Sequence, residues 1–238
     1  MEVEGNALAT DLIRRIRHPR EPAQDRLRAR LLRERRIDVM LDVGANEGLF
    51  SERLRTAGYK GRILSFEPLA EMFAKLDSRS ERDGKWESFR VAVGSEPQTA
   101  TLHVAGNWAS SSLLPMNERH RLAEPRSVYV DTEPCEVVTL DGIGTDLIGG
   151  NDRIYLKVDV QGSELAVLQG AERLLRQVEV IQAELSLMPL YDGAPLLESV
   201  VAYLDGRRFA LLGLAPAFVH PKTGAILQVD GIFARIRD

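Results

Sequence analysis

The stretch Ile37-Asp38-Val39-Met40-Leu41-Asp42-Val43-Gly44-Ala45-Asn46-Glu47-Gly48 decides how this chain is read. Residues 37–43 form a short, nearly continuous apolar run that stops at a glycine, the pattern of a parallel strand covered on both faces. Residues 47–57 then carry Leu49, Phe50, Leu54 and Ala57 at helical spacing, so strand gives way to helix at the glycines. Glycines at such a turn let the backbone come close to a ligand, and the helix start offers free N–H groups. A dinucleotide fingerprint needs G-x-G-x-x-G. Here the spacing is Gly44-x-Asn46-x-Gly48, with Asp42 inside the strand end. An acid beside the loop disfavours a pyrophosphate and suits an amine or a sulfonium, which points to an amino-acid-bearing nucleoside.

Downstream, strands are expected at residues 62–66, 88–93, 99–104, 129–139, 154–158, 178–184 and 209–212. Helices are expected at 70–78, 163–175 and 196–204, and a final antiparallel strand at 228–235. Residues 107–114 read as a serine-rich loop, and 115–127 as either a lid or an ordinary connection. This alternation implies right-handed crossovers and a mainly parallel sheet. Upstream, Leu8, Leu12, Ile13 and Ile16, then Leu27, Leu31 and Leu32, suggest two short helices broken at Pro19 and Pro22. Ten arginines lie between Arg14 and Arg36. They form either a surface for phosphate, anionic lipid or nucleic acid, or the solvated face of helices packed on the domain edge; the second reading is preferred. The organisation expected is a helical extension over residues 1–36 and one α/β domain over 37–238.

Composition narrows the function classes. Of 238 residues, 44% are hydrophobic and 28% charged, which suits a globular chain and not a disordered one. With 31 Lys+Arg against 35 Asp+Glu, the net charge of −4 disfavours a nucleic-acid partner. The single cysteine, Cys135, excludes an intrachain disulfide and cysteine-cluster metal sites. No secretory leader is recognised, and no run approaches the ~20 apolar residues of a transmembrane span. A soluble, cytoplasmic protein is expected, and a homodimer is compatible with the sequence.

Phe66-Glu67-Pro68 ends the second strand. An acid there, some 20–25 residues beyond the glycine loop, suits a ribose diol; alternatively it is a helix cap, with Pro68 in the first turn. Together with Asp42-x-Gly44-Ala45-Asn46-x-Gly48-x-x-Ser51, Ala92-Val93-Gly94, Thr139-Leu140-Asp141, Leu156-Lys157-Val158-Asp159-Val160-Gln161-Gly162-Ser163-Glu164 and Leu168-Gln169-Gly170-Ala171, these residues resemble the FkbM-type class I S-adenosylmethionine-dependent methyltransferases. The similarity runs from about Ile37 to Arg235. It implies a Rossmann-like, mainly parallel seven-stranded sheet with S-adenosylmethionine across its carboxyl edge. By position, the resemblance gives Asp42, Gly44 and Asn46 to the methionine end, Glu67 and Pro68 to the ribose, and Ala92 and Val93 to the adenine. The Ser110-Ser111-Ser112 loop, through Ser111, would close over the donor. Gln161 departs from the family, which commonly has an acid there.

Methyl transfer to a hydroxyl needs its proton taken as attack proceeds. Asp159 and Glu184, at the ends of neighbouring strands, are the candidates. Either the pair holds a divalent cation such as Mg²⁺, or one carboxylate is the base. His120 is a third catalytic candidate, from the lid segment, whereas Glu164 reads as a first-turn helix carboxylate. Met188-Pro189-Leu190-Tyr191 is expected to form part of an acceptor pocket. The expected activity is O-methylation of a small molecule, a sugar or glycoside before another secondary metabolite. The alternatives are N- or carboxyl-methylation, or a non-catalytic donor-binding module whose arginine arm docks a partner.

Overall fold

The computed structural model describes residues 23–237; the first helix expected in the extension lies outside the described residues. In chain order the elements are α1 (Ala23–Glu34), β1 (Val39–Val43), α2 (Leu49–Thr56), β2 (Arg62–Phe66), α3 (Ala70–Ser80), β3 (Trp86–Phe89), β4 (Ala92–Val93) and β5 (Gln98–Ala105). Then follow α4 (Glu118–Ala123), β6 (Tyr129–Val138), α5 (Leu140–Leu147), β7 (Ile154–Val158), α6 (Glu164–Gln169), β8 (Val178–Ser186), α7 (Leu197–Asp205), β9 (Phe209–Val219) and β10 (Ile226–Arg235).

A seven-stranded sheet runs β3-β2-β1-β7-β8-β10-β9. The pairs from β3 to β8 are parallel, and β10 is antiparallel to both its neighbours. Every residue of β1 and β7 is buried, Asp42 and Lys157 included, as befits central strands with helices on both faces. Alternation along the strands sorts the core into two layers. Val39, Leu41, Leu64, Leu156 and Ile181 meet Leu140, Val167, Leu168, Val200 and Leu204 from α5, α6 and α7 on one face. Met40, Ile63, Tyr155, Val180 and Ile232 meet Leu31, Phe50, Leu54 and Leu76 from α1, α2 and α3 on the other.

Residues 88–93 do not form one strand as expected. Pairing with β2 ends at Phe89, the chain leaves the sheet edge, and Ala92–Val93 joins a second, three-stranded sheet, β4-β6-β5. The helix expected over 163–175 stops at Gln169 because Gly170 packs on the backbone of Gly94: a Cβ on Gly170 would lie 2.0 Å from the Gly94 carbonyl oxygen. The chain resumes as a 3₁₀ turn at Leu174–Arg176. Helix α5 was not expected, since Gly142 and Gly144 dilute its pattern; Thr139 caps it by accepting from the Gly142 N–H at 3.0 Å. Among the described residues, no helix is long and apolar enough to cross a membrane.

Candidate active site

A cavity of about 280 Å³ opens at the carboxyl edge of the large sheet, where β1, β2, β7 and β8 end. In open α/β sheets this edge is where ligands bind. Gly44, Asn46, Glu67, Pro68, Ala92, Val93 and Ser111 line it on one side, and Asp159, Gln161 and Glu184 on another. The second sheet adds Leu102, and the turn after β5 adds Trp108 and Ser112.

Gly44 serves the protein's own backbone as much as any ligand. Its φ is 75°, and an added Cβ would sit 1.8 Å from the Asp159 carbonyl oxygen. Gly44→Ala is therefore expected to cost at least about 2 kcal/mol in urea denaturation, from the left-handed backbone plus a clash that only backbone movement relieves. Gly58 is the control: its φ is 93° but the space beside it is open, so Gly58→Ala should cost about half as much.

Asn46, also left-handed with φ 50°, turns its N–H onto Glu67 Oε2 at 2.8 Å, while Leu69 N–H donates to Oε1 at 2.9 Å. Two backbone donors thus aim the Glu67 carboxylate at the cavity. Burial raises its pKa to about 7, opposed by those N–H groups and by Lys157. Glu67 does not cap α3, whose N-cap is Leu69 with no side-chain cap bond; its carboxylate lines the cavity instead.

Asp42 does not reach the cavity. It is fully buried, its Oδ2 accepts from Ser51 Oγ at 2.7 Å, and its Oδ1 lies 3.1 Å from Lys157 Nζ. Its placement at the methionine end is corrected: the even-numbered side chains of β1 point under α2, not to the strand ends. Lys157, a residue to which the sequence reading gave no role, organises this region. Its Nζ donates to the Gly44 carbonyl at 3.1 Å and lies 3.5 Å from Asp159 Oδ2. Burial works against its charge, but Asp42 and Asp159 more than offset that and hold the ammonium above its ordinary range.

Asp159 and Glu184 are brought together through Gln161. Its Nε2 donates to Asp159 Oδ1 at 2.9 Å and to Glu184 Oε2 at 2.8 Å. Gln228 adds a further bond to Glu184 Oε2 at 2.7 Å. Burial, then Asp159, Glu164 and Asp230, push Glu184 well above the usual carboxylate range. The side chain of Asp159 is 35% exposed and is the more reachable of the two. This donor set does not fit Mg²⁺. An amide N–H₂ stands between the carboxylates where a cation needs oxygen acceptors, and among the described residues no group of three or more His, Cys, Asp or Glu could hold an ion. The metal expectation is corrected accordingly.

His120 lies outside the cavity. It is 2% exposed in α4 and packs edge-on against Tyr191, with ring centroids 5.1 Å apart, and beside Phe218. Burial lowers its pKa to about 4, against the pull of Glu124. Apolar packing around α4 gives it a core position, not a catalytic one, and the 115–127 segment is a packed connection. Leu190 and Tyr191 are likewise fully buried, leaving Met188 on the surface, so the expected acceptor segment does not line the cavity. Glu164 is buried; its Oε1 accepts from the N–H groups of Val160 and Gly162, and burial raises its pKa to about 7. In the extension, Arg28 bonds Asp25 and Gln182, Arg30 bonds Glu34, and Arg35 bonds Glu179. Arg28, and Arg35 just past its end, tie α1 to β8, whereas the Arg30–Glu34 pair lies on the exposed face of α1.

The same span that builds the cavity carries the match to known proteins: the model of the methyltransferase FkbM domain covers residues 42–211. The chain belongs to the FkbM methyltransferase family. Within this FkbM chain, 198 residues are 27% identical to the 2-O-methyltransferase NoeI of Sinorhizobium fredii (strain NBRC 101917 / NGR234), over 79% of each chain. The crystal structure of methyltransferase FkbM from Methylobacillus flagellatus KT is similar over 83% of this chain, with a TM-score of 0.51 and 18% identity. This chain spans only 43% of that one, and what the likeness shows is the fold. The FkbM chain's sheet order, with its antiparallel β10, is the mainly parallel seven-stranded arrangement expected from the sequence.

Proposed function

We propose that the protein is an S-adenosylmethionine-dependent O-methyltransferase acting on a hydroxyl of a small molecule, a sugar or glycoside before other metabolites. One observation carries this reading: a single cavity joins Glu67, held as a paired acceptor by two backbone N–H groups, to Asp159 and Glu184 some strands away. Glu67 suits a ribose diol, the apolar Ala92, Val93 and Leu102 suit a flat base, and the acidic end suits a cation. When bound, the donor supplies an electrophilic methyl group on sulfur. Asp159 then takes the acceptor hydroxyl's proton, held in place by Gln161 and Lys157. The 2-O-methyltransferase relative supports oxygen as the acceptor atom.

Calorimetric titration with S-adenosylmethionine and its demethylated product, with NAD as control, tests the donor. Micromolar binding of both and none of NAD is expected, with at least tenfold weaker binding by Glu67→Gln. The affinity should also depend on pH. Below about pH 7 the Glu67 carboxyl is protonated before binding and must release that proton to accept two hydroxyls, so Kd should rise as pH falls through 7. That slope should vanish in Glu67→Gln. Absence of donor binding by the folded wild type would overturn the reading.

A further inference from the structure

Gln161 stands at the centre of a cluster that its local sequence does not explain. Its φ is 56°, a left-handed conformation that costs a side-chain-bearing residue about 1–2 kcal/mol. Such backbone strain persists where the surroundings over-determine it, and here they do. Ser112 Oγ donates to the Gln161 carbonyl at 2.6 Å, and Glu164 Oε1 accepts from the N–H groups on either side of it.

The orientation of the amide is fixed by its partners. Tyr191 is fully buried, and its hydroxyl donates to Gln161 Oε1 at 2.7 Å. That leaves the N–H₂ group to face Asp159 and Glu184, one hydrogen for each. A flipped amide would set an oxygen 2.8–2.9 Å from two carboxylate oxygens, which is repulsive. The Tyr191 hydroxyl can adapt to a flip by donating to the Ser110 carbonyl at 3.2 Å, so it is the two carboxylates that set the orientation.

We propose that Gln161 is a positioning residue, whose amide takes the place of a bridging cation between Asp159 and Glu184 and fixes Asp159 toward the cavity. Without the amide, neither Asp159 Oδ1 nor Glu184 Oε2 would keep the donor that joins the two strand ends. The amide joins them without adding charge; Tyr191 holds the amide, and Ser112 and Glu164 hold the backbone that carries it. A methyl acceptor thus meets a carboxylate of set direction with no metal to load. The proposal rests on the reading of Asp159 as the proton acceptor, but the clamp itself is testable without donor or substrate.

The test is Mn²⁺ titration by electron paramagnetic resonance on wild type, Q161E and Q161G, followed by kinetics. Glycine suits the φ of this position, so Q161G separates loss of the amide from misfolding. Wild type should bind no Mn²⁺ at the pair at millimolar ion, and Q161E, which supplies a third carboxylate, should bind at least tenfold more tightly. Q161G should lose at least tenfold in kcat with donor KM within twofold, a split that general destabilisation would not produce. Mn²⁺ binding by wild type that Asp159→Ala abolishes, no gain of Mn²⁺ affinity in Q161E, or an unchanged kcat in Q161G would each overturn the proposal. The Mn²⁺ results stand even if S-adenosylmethionine fails to bind.

Discussion

Lys157→Met should lower the stability of the protein by about 3–5 kcal/mol, the usual consequence of removing one partner of a buried ion pair. The substitution nearly preserves volume, so the loss is electrostatic. Asp42 is fully buried, and among the described residues Ser51 and Lys157 meet its carboxylate oxygens. Without the ammonium, Asp42 must either stay charged in an apolar layer or take up a proton, and the Gly44 carbonyl loses its donor as well. Urea denaturation measures the loss. A second step makes the test specific: Lys157→Met with Asp42→Asn removes both charges, and replacing a buried pair outright is far less costly than breaking it. The double variant should therefore recover at least half of the loss. If the single variant melts within 1 kcal/mol of wild type, the buried pair does not hold this end of β1 and β7.

Asp159→Ala should reduce turnover by about 10²–10⁴-fold, the range for removal of a general base. Its stability should stay within about 1 kcal/mol of wild type, because the side chain is 35% exposed and Lys157 keeps Asp42 as a partner. The structural work at this position is done by the backbone: the Asp159 N–H donates to the Val43 carbonyl at 3.0 Å, and alanine leaves that bond intact. Initial rates at saturating donor, with donor Kd measured in parallel, separate chemistry from binding. Turnover retained within fivefold would remove Asp159 as the base and favour an amine or carboxylate acceptor, which needs less help in losing a proton.

Much of the fold was legible because the strands at the middle of the sheet, β1, β2 and β7, are short, nearly continuous apolar runs. β2 and β7 fall where the apolar runs alone place them, over Arg62–Phe66 and Ile154–Val158. What failed was long-range. The run 88–93 reads as one strand, yet its last two residues find a different partner in β6, and nothing local in Arg90-Val91 announces the change of sheet. His120 was read as a loop histidine over the site because α4 is only six residues long. Its burial comes from Tyr191 and Phe218, about 70 and 100 residues away in the chain.

The deepest difference lies in one row of polar residues. Each central strand carries a buried polar residue: Ser65 in Arg62–Phe66, Asp42 in Val39–Val43, Lys157 in Ile154–Val158 and Gln182 in the middle of Val178–Ser186. Read singly, these are exceptions to apolar runs, and only Asp42 invited a function. The register pairs Ser65 with Asp42, Asp42 with Lys157, and Lys157 with Gln182, so all four form one buried rung across the sheet. By itself the sequence determined most of the strands, their mainly parallel arrangement and the acids at their ends, because hydrophobic period and turn chemistry are local. Only the tertiary structure decided that Asp42 faces Lys157 instead of the cavity, and that Gln161 stands between Asp159 and Glu184. Asp42 and Lys157 meet through register between strands more than 100 residues apart, and Gln161 reaches Glu184 across to the neighbouring strand, 23 residues on; no local pattern encodes either.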